Sequence, residues 1–300
     1  MEKVLITGAT SYLGQVLTIQ HLERGDEVYV LIRPSTNTAK IAPGLKTENV
    51  LVDDGAQKNL TEMMALCQPD VLHHLASFYV RELEAEQVAE LVEAGLTFGI
   101  RLLEALRQAG QSPRIVNATS HTIFYNNISP TPLNLYAATK LAFETILNFY
   151  AEAERLVYCS LVLFDTYGPD DTRVKLMTAI HESLMQEKVL RLTDQDIALE
   201  MVHIEDAARA FIVAADLLKD DNMVKGKHFA ISQGERILTS ELVALFEELA
   251  GKTIEKQWGA FSLPDRKILE PWSGPVLPGW EPHIGIRQGV KEMIQLVNSQ

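Results

Sequence analysis

Tyr136 and Lys140 stand four positions apart in "NLYAATKLAF" (134–143), a stretch that reads as helix. Residues at that spacing share one face. A free phenol has a pKa near 10 and is a poor acid or base at neutral pH. A neighbouring ammonium favours the ionised phenol and brings it toward the working range, as proton transfer to a reacting oxygen requires. With 8 tyrosines and 14 lysines in 300 residues, chance alone supplies roughly 0.4 such spacings. The surroundings must decide whether this is a catalytic pair.

A second chemical signal lies in "TGATSYLG" (7–14), which follows the first apolar run and opens an amphipathic stretch. Gly8 and Gly14 sit where a dinucleotide-binding turn needs a tight bend and close helix packing. Thr10, Ser11, Tyr12 and Leu13 complete the turn, and its helix would aim free N–H groups and a positive dipole end at a diphosphate. Ser11 occupies the place of the usual middle glycine, so its side chain must either bond the pyrophosphate or crowd it. At the end of the next strand "VLIRPS" puts Arg33, followed by Ser35 and Thr36, where an acidic residue would bind an adenosine ribose. A guanidinium there fits a 2′-phosphate, so NADP(H) is expected over NAD(H). Asp54, after the third strand, is a candidate acceptor for the adenine amine.

The elements that must position these residues alternate. Strands are expected at 3–7, 27–32, 49–53, 70–75, 114–118 and 157–164, and helices at 12–24, 57–67, 82–109 and 135–155. That rhythm means βαβ crossovers: an α/β fold with a doubly wound parallel sheet. After Gly168-Pro169 it gives way to helices at 174–187, 205–218 and 239–250 with loops between. The expected organisation is a dinucleotide-binding domain over 1–168 and a smaller, mostly helical substrate-binding region over 169–300. Residues 199–232 are expected to return to the sheet.

Composition narrows the partners. Forty acidic against 27 basic residues give a net charge of −13, which argues against nucleic acid and anionic membranes. Cys67 and Cys159 fall in apolar stretches and read as buried thiols, and no apolar run approaches 18 residues, so a cytoplasmic protein is expected. His73 and His74, adjacent on a strand, must point to opposite faces and cannot chelate together. His203 and Glu205 sit at a helix start, where they can cap it. No metal site is expected.

"TGATSYLG", "HLAS" (74–77), "NATS" (117–120), "YAATK" (136–140) and "YGP" (167–169), with "VHIEDAARAF" and "PGWEP" later, resemble the extended short-chain dehydrogenase/reductase superfamily, the NAD-dependent epimerase/dehydratases. The resemblance implies a Rossmann sheet and a proton relay at Tyr136. Lys140 would support that relay and hold the nicotinamide ribose. Ser120 would bond the reacting oxygen, with Thr119 the alternative bearer of that role, and Leu75, Ala76 and Ser77 would line the cofactor. In the family's 4,6-dehydratases an acidic pair follows the hydroxyl residue; His121 and Thr122 stand here, which argues against dehydration. Gly95 replaces an asparagine that orients the lysine. Leu199 and Glu200 replace an Arg-Asp whose arginine grips the substrate diphosphate, leaving Arg173, Lys175, Arg191 and Arg266 as candidate cations.

Within the superfamily the likeness is to nucleotide-sugar 4-ketoreductases such as CDP-abequose and CDP-paratose synthases. It implies NADPH-dependent reduction at C4 of a nucleotide-linked deoxyhexose. The alternatives are a nucleotide-sugar 4-epimerase with bound NAD and a non-catalytic NADP(H)-binding redox sensor. Helices 82–109 and 135–155 are expected to form a homodimer through apolar outer faces carrying Leu141, Phe143, Ile146 and Phe149.

Overall fold

Six β-branched runs become parallel neighbours: β1 (Lys3–Thr7), β2 (Glu27–Ile32), β3 (Val50–Val52), β4 (Val71–His74), β5 (Arg114–Ser120) and β6 (Tyr158–Leu163). The computed structural model describes every residue of the chain except 81–82, 128, 221–222, 269 and 298–300. α1 (Tyr12–Glu23) covers one sheet face, burying Leu13 and Leu17. α2 (Gln57–Cys67) covers the other with Leu60 and Met64. Burial on both faces is why the strands are nearly continuous apolar runs.

The helical stretch expected at 82–109 begins, among the described residues, with a 3₁₀ turn at Ala85–Gln87. It continues as α3 (Val88–Val92), a π-helical segment at Glu93–Thr97 and α4 (Phe98–Gln108). Gly95 and Gly99 turn this stretch toward α5 (Leu135–Ala153). A Cβ on Gly95 would lie 2.8 Å from the Thr139 hydroxyl, and one on Gly99 2.4 Å from the Phe143 ring. Phe143 is therefore buried at 3% exposure in the core, correcting the expectation that it lies on an outer face. Leu141 and Ile146 are half-buried, and Phe149 is exposed.

Beyond β6 come β7 (Asp165–Tyr167), α6 (Leu176–Gln186), β8 (Leu190–Thr193), β9 (Ala198–His203) and α7 (Ile204–Leu217). They are followed by β10 (His228–Ile231), β11 (Arg236–Leu238), α8 (Thr239–Ala250), β12 (Lys256–Phe261) and α9 (Ile286–Val297). β10 pairs in parallel with β6, completing a seven-stranded sheet in the order β10-β6-β5-β4-β1-β2-β3. α7 packs beside α1 on the sheet. β11-β9-β7 and β12-β8 form small separate sheets, and α6, α8 and α9 enclose a second core around Leu184, Phe246 and Val290.

His73 and His74 diverge as the strand pleat requires. His74 Nδ1 takes the Thr7 hydroxyl at 3.1 Å and packs against Phe143. His73 faces α1, where Asp26, His21 and His73 form a buried chain. Asp26 Oδ2 meets His21 Nδ1 at 2.9 Å, and His21 Nε2 meets His73 Nε2 at 2.9 Å. A carboxylate only accepts, so His21 donates from Nδ1 and, when neutral, accepts at Nε2. His73 then donates from Nε2, leaving Nδ1 bare, as found. Burial holds His21 and His73 below the ordinary imidazole range and drives His74 down to about 3. Depressed folded-state values mean that the unfolded chain takes up protons first as pH falls below about 6.5, so stability is lost on acidification. Two fully buried imidazoles refusing protons cost roughly 2.7 kcal/mol per pH unit below that point. The melting temperature is expected to drop by about 5 °C between pH 6 and pH 5, before carboxylates protonate. A flat thermal-melt profile across that interval would refute this.

Candidate active site

Two cavities open near the carboxyl ends of the sheet strands, where ligands bind in such folds. The first, about 310 Å³, is floored by Gly8, Ala9, Thr10 and Ser11 of the turn after β1. Leu31, Ile32, Arg33, Thr36 and Asp53 form one wall; Leu75, Ala76 and Ser77 form another. Glu90, Glu93, Ala94 and Phe98 close it from the stretch 88–108. A larger open groove of about 760 Å³ lies at the opposite, amino-terminal strand edge, and none of the candidate residues lines it.

The turn is built to bring backbone close. Gly8 has φ +69°, and a Cβ there would lie 2.9 Å from Ala76 N; a Cβ on Gly14 would lie 2.3 Å from the Gly8 carbonyl. Ser11 caps α1, its Oγ accepting from Gly14 N at 3.1 Å, so its hydroxyl hydrogen stays available to a phosphate. Leu13 is buried beneath the turn. Tyr12 points away: its hydroxyl donates to the Pro169 carbonyl at 2.6 Å, tying the turn to "YGP". This cradle and its apolar walls fit a dinucleotide.

At the end of the cavity that Arg33 lines the charges are mixed. Arg33 is exposed and faces Glu90 at 3.4 Å. Asp53 lines the cavity but is held in a two-pronged bond by Arg101, at 2.9 and 3.1 Å. Its neighbour Asp54 does not line the cavity; its carboxylate accepts from Ala56 N and from Asn59 Nδ2 at the start of α2.

The second cavity, about 370 Å³, is mainly apolar, with Leu176, Met177, Leu192, Leu199 and Met201 in its walls. Lys175 and Arg191 bring charge to it. Lys175 bonds Asp165 at 2.7 Å, whereas Arg191 has no ion pair among the described residues. Arg173 is occupied by Asp171 and the Thr166 carbonyl and lies over the Tyr12 ring. Arg266 is placed elsewhere, bonding the carbonyls of Pro132 and Leu133 and stacking on Tyr125. His203 caps α7.

Tyr136 sits between the cavities. Ser77, from the first, lies beside its hydroxyl, and Tyr79, from the second, meets its ring edge-on at 5.2 Å. The lysine one turn on was expected to lower this phenol. Instead burial pushes it up to about 12, opposed by the nearby Ser77, so the protein's own groups hold it protonated. Lys140 is buried and donates to the Ala118 carbonyl at 3.0 Å; burial lowers its ammonium to about 8. Ser120, closing β5, accepts from Thr122 N and Oγ1. Thr119 is buried with its hydroxyl unpartnered, and His121 stacks on Phe164.

Sequence reasoning missed Asp53, Glu90, Glu93 and Tyr79. Asp53 carried a signal, as the neighbour of the residue chosen. The others reach the cavities only through tertiary placement. Among the described residues no three His, Cys, Asp or Glu side chains are arranged to hold a metal ion, and no helix is long and apolar enough to cross a membrane.

Comparison with known proteins agrees with this architecture. The family model "NAD dependent epimerase/dehydratase family" matches residues 4–232. CDP-abequose synthase of Yersinia pseudotuberculosis is 24% identical over 73% of this chain and 76% of its own. UDP-glucose 4-epimerase of Mycolicibacterium smegmatis is 22% identical over 99% of each. Among solved structures, Thermus thermophilus UDP-glucose 4-epimerase in complex with NAD superposes with a TM-score of 0.80 at 23% identity, over 97% of each chain. Bacillus cereus UDP-glucuronic acid 4-epimerase, in complex with UDP-glucuronic acid and NAD, gives 0.83 at 19%, over 99% of each. At such identities the structural likeness is one of fold, but the family model spans most of the sequence: the chain belongs to the NAD-dependent epimerase/dehydratase family.

Proposed function

We propose that the protein reduces a keto group, at C4, of a nucleotide-linked deoxyhexose with NADPH. The observation that carries this reading is the place of Tyr136, a protonated phenol between a dinucleotide-shaped cavity and a second, apolar one. A phenol kept neutral suits an acid that delivers a proton to an alkoxide. Bound NADPH supplies the hydride. Ser120 polarises the carbonyl with its hydroxyl, Tyr136 protonates the oxygen, and Lys140 restores charge balance beside the phenol while holding the ribose. Of the four candidate cations, Arg191 is left to meet a substrate diphosphate, since Arg173, Lys175 and Arg266 are already engaged. The likeness to CDP-abequose synthase supports the reductase reading. A homodimer through α5 belongs to it too, resting on the exposed Phe149 and Leu135.

A second reading has its own support. Glu90 and Glu93 beside Arg33 make the adenosine end partly acidic, and several relatives are 4-epimerases. A 4-epimerase would use the same Tyr136, Lys140 and Ser120 with NAD retained. Loss of NADPH absorbance with keto sugars linked to CDP, dTDP, UDP or GDP tests the first reading; interconversion of UDP-hexoses without net cofactor turnover would replace it with the second. Arg33→Ala is expected to weaken NADPH roughly tenfold while leaving NADH unchanged, as lost charge-assisted bonds to a phosphate require. Calorimetric titration giving an unchanged ratio would remove the NADP assignment.

A further inference from the structure

One turn beyond Lys140 on α5, Glu144 is 3% exposed. Its Oε2 meets His228 Nε2 at 2.7 Å, and its Oε1 has no hydrogen-bond partner. His228 opens β10, the edge strand of the main sheet, with its side chain 30% exposed. A carboxylate taken out of water costs several kcal/mol unless charge and hydrogen bonds compensate it. One histidine leaves half of this carboxylate bare, so a further partner for its charge is to be sought nearby.

The groups facing it identify that partner. From β4, His74, on which Lys140 rather than Glu144 acts, is held neutral by burial. From β6, the Tyr158 hydroxyl is committed to Asn148 Oδ1. From β10 comes His228, and from α5 itself Lys140, whose buried ammonium has a single acceptor, the Ala118 carbonyl. Residues i and i+4 of a helix are neighbours; the two groups make no direct ion pair, and Glu144 is the carboxylate whose charge acts on Lys140 across that turn.

We propose that Glu144, anchored by His228, is a positioning residue that keeps the buried Lys140 charged. Burial alone drives an ammonium toward its neutral form, and a neutral amine could neither stabilise a phenolate nor return a proton to it. Glu144, which lines neither cavity, opposes that drift. His228, half in water, fixes the carboxylate without sealing it off. The proposal rests on the reading of Tyr136 and Lys140 as the proton-delivering pair, but its test does not require a substrate.

The ε-carbon resonance of Lys140 in ¹³C-lysine-labelled protein, assigned by its absence in Lys140→Met, reports the ionisation directly. Glu144→Gln keeps an acceptor for His228 and removes the charge; Glu144→Met removes both and fills the space with an apolar side chain, beside a His228 that still reaches water. In whichever of the two folds, the titration midpoint of Lys140 is expected to fall by about one pH unit, the lower end for loss of a nearby opposite charge. Glu144→Asp, which keeps the charge, is expected to stay within a few tenths of wild type. A midpoint unmoved in the neutral variants overturns the proposal, as does an Asp variant displaced as far as they are, because packing would then be the cause. Normal turnover in Tyr136→Phe would defeat the functional reading and leave these midpoints as they stand, so the two failures read separately.

Discussion

Tyr136→Phe is expected to lower turnover on the keto-sugar substrate by roughly 10²–10⁴-fold while NADPH affinity stays within about twofold. The substitution removes one oxygen. The ring keeps its edge-on contact with Tyr79, and α5 keeps its Asn134 cap, which accepts from Ala137 N at 2.9 Å. The dinucleotide cavity is walled by other residues, so binding has little to lose. The alkoxide left by hydride transfer, however, would have no acid beside it. Single-turnover kinetics with NADPH and the identified sugar measures the step. A rate near that of wild type would mean that another group donates the proton.

Gly14→Ala is expected to be the most damaging single methyl in the nucleotide half. Its Cβ would sit 2.3 Å from the Gly8 carbonyl oxygen and 2.7 Å from Ala9 Cα, both backbone atoms that cannot rotate aside. Either α1 lifts from β1 or the turn opens. Overpacking of this kind costs about 1–3 kcal/mol, and the displaced turn would no longer present its N–H groups to a diphosphate. A melting temperature lowered by several degrees and NADPH binding weakened at least tenfold are the expected results. Wild-type affinity in a folded Gly14→Ala protein would show that the turn is not the phosphate cradle.

Legibility in the sequence followed the range over which each feature is determined. The strands β1, β2 and β4 to β6 were readable because a strand buried on both faces writes its burial into consecutive residues, and the half-exposed edge strand β3 through its β-branched run. The strands β8, β9, β11 and β12 were not, because each is short or partly to largely exposed and pairs with a distant segment. α9 carried Ile286, Val290, Met293 and Ile294 at helical spacing and could have been found. The π-helical segment at 93–97 was beyond reach: one residue of slip in a helix leaves no compositional mark. Of the site, Gly8, Gly14 and Arg33 were legible from local turn and strand-end chemistry. Glu90 and Tyr79 arrive from elsewhere in the chain. Phe143 misled because an apolar residue on a broad face looks the same whether it meets solvent, a second subunit or a glycine on the next helix.

That glycine contact leaves no slack. Gly95 against Thr139, and Gly99 against the Phe143 ring, press two helices together with nothing compressible between them. Thr139 lies between Tyr136 and Lys140, while Glu90, Glu93 and Ala94, one turn away across the contact, wall the dinucleotide cavity. α5 can neither slide nor roll without carrying that wall. Where a looser pairing would give the wall and the helix carrying Tyr136 separate motions, these two are geared, and the tolerance on one sets the tolerance on the other.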